Sequence, residues 1–435
     1  MSTSTSVGFE LIKDIVDDLY VGRKVHLDSV TAILAEVYGV EITKNQLDKK
    51  ITKWGFRNQR VKTSSKSKPL FHEPPMRVVL PKDVGPPDVH KRREYILFYV
   101  QNAIDAEFRR SRRGEKQKCE FDPIWLTPGR GYKTSWTKLY KASEKLPEFA
   151  ETGQVNQFEA CVDEIFAGIQ PAILGKNELN IMVCFWRVAN DFLNAAVKRL
   201  NKDLLETFLD TLCDKRRELL PEIKSDPLAL LCTSFLESPR EERFELLRLG
   251  YERSITHLQY HYIDHNLTVP QMTTNYLMYW DRNSTRFPNL IADFEDLILY
   301  TTGRYGSDDW RTITCLHQFL YYTFSIRGDT QRSALIAETL YSRTQRIIST
   351  SKKITWNTVT NAFTLASEAL MSWHSHRFEA GDVLRYFERL CDTLDKGDEE
   401  CQRQATCLMR KIRECGEFEE TTEEIFLAMT MREVV

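Results

Sequence analysis

No run in these 435 residues approaches the ~18–20 consecutive apolar positions that a membrane-spanning helix needs. The opening MSTSTSVGFE lacks the basic and then apolar order of a secretory signal. The ten cysteines include no CxxC pair, so they are expected as buried thiols of a reducing compartment. The Gly-x-Ser-x-Gly elbow, the phosphate-binding Gly-x-x-x-x-Gly-Lys-Ser/Thr order and the dinucleotide fingerprint are all missing. The TPGRG stretch at 127–131 is too short to replace the phosphate loop. Strand-type alternation is missing from about residue 155 onward, where helical spacing takes over. Together these gaps lead us to expect an all-α, non-enzymatic chain with no cofactor, no metal and no membrane segment.

What is present is unevenly distributed. A formal net charge of −2 hides a segregated pattern, and 42% hydrophobic content is enough for a large core and two or more domains. Residues 44–68 carry nine bases and only Asp48 as an acid, and residues 91–118 carry nine bases and four acids. A concentrated basic segment on an otherwise acidic protein suits contact with phosphates, whose neutralisation releases counterions. It also suits a solvated linker. Residues 59–90 read as that linker, because Pro69, Pro74, Pro75, Pro81, Pro86 and Pro87 remove backbone donors and fix φ. Its basic start, Arg60 to Lys68, contains Ser64, Ser65 and Ser67, whose phosphorylation would subtract positive charge.

The most informative stretch is Leu27 to Asn58. Leu27, Val30, Ile33, Leu34 and Val37 share one face of a first helix, and Gly39 stands where that helix stops. Thr43 and Gln46 fit a capping box. Leu47, Ile51 and Trp54 then form an inward stripe, with Lys44, Lys49, Lys50 and Lys53 on the remaining faces and Gly55 closing the helix. The expected core comprises Leu19, Tyr20, Leu27, Val30, Leu47, Ile51 and Trp54. A basic second helix is what a helix-turn-helix DNA reader presents, and a three-helix protein-docking module gives the same pattern.

These residues resemble the N-terminal domain of fungal cryptic-loci-regulator proteins, the Clr-type domain. Lys13, Val16, Leu19 and Tyr20 match its first block, Leu27 and Val30 its second, and Thr43 and Gln46 a helix start. Lys53, Trp54, Gly55, Phe56 and Asn58 match its closing block. Phe9 stands where that family has a tryptophan and Leu47 where it has a tyrosine, and both keep an apolar position. The resemblance covers residues 9–58. It implies a fungal, nuclear protein with a DNA-binding or chromatin-linked role. On that basis Lys44, Lys49, Lys50, Lys53, Arg57 and Arg60 are expected to hold phosphates of double-stranded DNA, with Asn45 reaching a base edge, or Gln46 if its side chain is not used in the cap.

Downstream, residues 91–113 form one amphipathic helix with a stripe of Ile96, Tyr99, Val100, Ala103, Ile104 and Phe108. The rest of 91–150 is an irregular connector. From 151 to 435 helices fall into pairs: 177–200 with 202–219, 227–237 with 240–263, 270–281 with 288–302, 310–327 with 329–349, and 354–374 with 377–394. The last two pairs repeat at a spacing of 46, with Trp310 corresponding to Trp356 and Ala334 to Ala380. Such pairs loosely resemble tetratricopeptide-type repeats, whose neighbours cover one another's apolar faces. The expected fold is therefore a small N-terminal helical domain plus a larger α-solenoid or helical bundle that gathers protein partners.

Few clusters offer chemistry. His257, His261 and His265 recur every fourth residue, yet the acid of a His-Glu-x-x-His zinc motif is missing. They read as structural histidines beside Tyr260 and Tyr262. A deep polar pocket converging on His257, His261 and a carboxylate from another helix would instead favour an enzyme of some secondary pathway. His374 and His376, and Cys401, Cys407 and Cys415, lack ligand spacing. Asp308 and Asp309 suit an N-terminal cap for a helix starting at Trp310, and Asp17 and Asp18 are expected to face solvent.

Overall fold

A computed structural model describes residues 12–56, 89–111, 135–175, 181–199, 203–221, 226–262 and 265–350, with isolated positions up to 370. All described elements are helical. They begin with α1 (Lys13–Val16), running directly into a π turn (Asp17–Gly22), then α2 (Leu27–Glu36) and α3 (Lys44–Trp54). Next come α4 (Val89–Ser111), α5 (Ser135–Ser143), α6 (Leu146–Glu151), α7 (Val155–Leu174), α8 (Ile181–Arg199) and α9 (Leu204–Leu219). The series closes with α10 (Pro227–Leu236), α11 (Arg240–His261), α12 (Thr268–Tyr279), α13 (Leu290–Tyr305), α14 (Trp310–Tyr321), a π turn (Tyr322–Arg327) and α15 (Thr330–Thr350). The helices of four of the five pairs expected from periodicity are present, but those at 270–281 and 288–302 fall in different units. The fifth pair, with His374, His376 and the three late cysteines, lies outside the described residues, as does the 59–88 part of the linker. Among the described residues no helix is long and apolar enough to cross a membrane.

The chain divides into two compact units, one formed by residues 1–69 with 284–434 and the other by 70–283. The expected 151–435 helical-repeat region is thus shared between them, and the N-terminal helices belong with the helices after 284.

In the first unit, local sequence sets each helix end. The Thr43 side chain accepts from Gln46 N–H while Gln46 accepts from Thr43 N–H at 2.9 Å, the reciprocal cap read from the sequence. Asp309 caps α14 by accepting from Arg311 N–H at 2.9 Å. The apolar face of α2 supplies Val30, Ile33, Leu34, Val37 and Tyr38 to a core shared with α13, α14 and α15. The Tyr38 ring meets Phe319 edge-on at 6.5 Å, and Phe319 stacks on Phe294 at 5.2 Å. At Gly39 two requirements coincide: φ is +65°, and a Cβ would lie 2.6 Å from Thr339 Oγ1. Arg343 donates to the Glu36 main-chain oxygen at 2.8 Å, covering a carbonyl at the end of α2.

One buried carboxylate ties this unit together. Glu295 on α13 is fully enclosed, and accepts from Tyr38 Oη–H and from Arg23, each at 2.5 Å. Burial pushes its carboxyl above the ordinary range, against the pull of Arg23. Burial, then the neighbouring Glu295 charge, holds the Tyr38 hydroxyl well above its usual value, so it remains a donor. Asp18, expected at the solvent face, is half-buried and pairs with Arg23 at 3.2 Å. The π turn brings it there, and Asp17 alone stays exposed.

In the second unit, α4 and α11 run side by side in the same direction. Arg92 pairs with Glu242 at 2.7 Å, Gln101 accepts from Arg253 at 3.2 Å, and Phe108 stacks on His261 at 4.5 Å. The offset between partners stays near 152 residues along the whole contact. Gly250 permits the close approach, since a Cβ there would sit 2.7 Å from the Trp186 ring and 3.2 Å from Ile96. Trp186 donates its indole N–H to Ser254 at 2.6 Å. Glu107 accepts the N–H groups of Ile181 and Met182, at 3.0 and 3.2 Å, placing a carboxylate at the positive end of α8. Of the expected α4 stripe, Ile96, Val100, Ala103 and Ile104 are buried, while Tyr99 and Phe108 are half-buried.

Candidate functional site

Two places combine exposure with chemistry. The first is the outer face of α3. At 3.6 residues per turn, Asn45, Lys49 and Lys53 lie in one row along the helix, opposite the buried Leu47 and Ile51. All three are exposed, as is Lys44. Lys44 is drawn sideways to Asp28 at 2.7 Å, so part of its charge is already matched within the domain. Lys50 lies on the flank and is half-buried. Arg57 and Arg60 lie outside the described residues. Gly55 ends the helix with φ +75°, which turns the chain so that Phe56 comes back to Trp54, their rings 5.6 Å apart.

Residues 8–58 match the family model of the Clr5 domain. That span coincides with the sequence resemblance at 9–58, and its closing Lys53-Trp54-Gly55-Phe56 block is the end of α3. Comparison with curated proteins and with solved structures finds no match. Of the expected core, Leu19, Val30, Leu47 and Ile51 are buried, whereas Tyr20, Leu27 and Trp54 are half-buried. Among the described residues the enclosed aromatic of the Clr5 domain is Tyr38, which directly precedes the helix-ending glycine and is not among the expected core residues.

The second place is in the other unit, at the C-terminal ends of α4 and α11. Asp105 Oδ1 lies 2.8 Å from His257 Nε2 and 2.8 Å from His261 Nε2, and the two nitrogens are 3.3 Å apart. His257 is buried, His261 nearly so, and the Asp105 side chain is 28% exposed. His265 does not join them: α11 ends at His261, and His265 has φ +74°. The row of three expected on one helix face therefore stops at two. The carboxylate missing from the motif arrives from α4. Sequence reading of residues 91–113 followed the apolar stripe and did not single out Asp105, although it sits one residue after Ile104.

The ionisation states at this cluster follow from its surroundings. Burial raises Asp105, but hydrogen bonds from His257 and His261 outweigh that, and its carboxyl stands below the ordinary value. Burial dominates at His257 and pulls its imidazole down, so the neutral ring is favoured. An ionised carboxylate beside the neutral His257 ring is a state in which such residues ligate metal. The Phe108 ring covers one face of His261, and Tyr260 stands edge-on to that imidazole at 5.4 Å.

Proposed function

We propose that this protein is a nuclear regulator of transcription or chromatin whose Clr5 domain contacts double-stranded DNA. The observation carrying the reading is the exposed Asn45, Lys49 and Lys53 row on α3. In this reading Lys49 and Lys53 engage phosphates, with Lys44 and Lys50 at the margins, and Asn45 reaches a base edge. The apolar faces of α2 and α3 are already covered inside their own unit, and what α3 turns outward is polar and basic. That supports phosphate contact over an apolar docking face. Partner proteins bind the helical region in this reading, and the chain works by recruitment without catalysis.

The test is titration of the full chain into labelled random duplex DNA at rising salt. Wild type should bind with an affinity that falls steeply as salt rises. Lys49→Glu with Lys53→Glu should bind more weakly, with the slope of log K against log salt reduced by roughly 2. Equal binding by both proteins, or a salt-insensitive affinity, would leave the Clr5 domain as a protein-docking module.

A further inference from the structure

We propose that Asp105, His257 and His261 form a binding site for one divalent transition-metal ion of the zinc class, clamping the parallel helices α4 and α11. Two histidines one helical turn apart, with a carboxylate from a second element, are a donor set suited to zinc and related first-row ions. The spacing fits without rearrangement. Donors separated by 2.8, 2.8 and 3.3 Å lie on a circle of about 1.7 Å radius. An ion about 1.1 Å above their plane would then stand at the ~2.0–2.1 Å that zinc requires from each donor. The N–metal–N angle in that position is close to tetrahedral. Asp105 is partly exposed, which leaves a path for the ion and an open position for water.

Two features set the affinity. The Nδ1 atom of buried His257 has no hydrogen-bond partner among the described residues, so the usual outer contact that orients a metal-bound imidazole is missing there. Loss of such a contact typically costs 10–100-fold in affinity. Arg253, hydrogen-bonded to Gln101, adds positive charge near Asp105. Both argue for a micromolar site. Its role is structural: Arg92 and Glu242 join the starts of α4 and α11, and the ion would join their ends.

The experiment uses the untagged full chain, stripped with chelator and titrated with zinc and, for its visible spectrum, with cobalt. One equivalent should bind with a dissociation constant below about 100 µM, and cobalt should show the absorption of a low-coordinate nitrogen and oxygen site. Asp105→Asn and His261→Gln should each weaken uptake at least 10-fold, with melting in chelator nearly unchanged. Zinc should also slow hydrogen exchange of wild-type amides around 105–108 and 257–261, a readout that stands even if a variant fails to fold. No uptake at about 100 µM zinc, undiminished uptake by both variants, or protection confined to other segments would overturn the proposal.

Discussion

Glu295 and Asp105 are both carboxylates carried on one helix and met by residues far away in sequence, yet they serve opposite ends. Glu295 is sealed, and its two oxygens are taken by a guanidinium and a phenol. Asp105 is partly open, and one of its oxygens meets two imidazoles. In the first arrangement both carboxylate oxygens are occupied. The second keeps solvent access, which is why it has room for an ion. A carboxylate's partners decide whether it acts as a fastening or as a site.

Breaking the sealed cluster should give the largest effect. Glu295→Ala removes the acceptor for both Tyr38 and Arg23, and loss of one member of a buried charged cluster typically costs about 3–5 kcal/mol. Chemical denaturation followed by hydrogen exchange in α2 and α13 should report it. By the same logic a fragment ending at residue 68 should not fold, because Tyr38, Glu36 and Gly39 find their partners on α13 and α15. Circular dichroism of that fragment showing a cooperative helical melt would contradict this.

The Trp54 change sharpens the contrast within the Clr5 domain. Sequence reading makes Trp54 the core residue, for which truncation to Ala would cost ~3–5 kcal/mol. It is half-buried, so Trp54→Ala should cost only about 1–2 kcal/mol, and less than Tyr38→Ala, in urea titrations of the full chain. A Trp54 loss exceeding that of Tyr38 would return Trp54 to the centre of the core.

These contrasts also mark how much the sequence discloses. The cap at Thr43, the stop at Gly55, the cap at Asp309 and the i, i+4 placement of His257 and His261 are local, set within a few residues, and periodicity or turn chemistry displays them. Glu295 and Asp105 are not visible that way. Their partners lie 257 and 152 residues off, and each sits beside an apolar stripe that draws attention away from it. Tyr38 was hidden for a related reason, since a residue beside a helix-ending glycine looks peripheral until another helix is seen to cover it. Helices were legible; the long-range pairing that turns helices into a core and a cluster was not.

The finest test sets the two carboxylates against each other by pH. Glu295 holds its proton more tightly in the folded chain than the ordinary 4.5. Its contribution is therefore complete below that value and is lost as pH rises through the folded value. Asp105 is shifted the other way from 3.8, by His257 and His261 with Arg253 close by. Its contribution is present above that value and is lost as pH falls through the lower folded value. Glu295→Gln should gain ground on wild type as pH rises above 4.5, and Asp105→Asn should lose ground as pH rises towards 3.8. Hydrogen exchange in α13 and in α4, compared across pH in chelator, should give slopes of opposite sign. Slopes of the same sign would mean that Arg23 outweighs burial at Glu295, and the sealed cluster would then be an ion pair of the ordinary acid-sensitive kind.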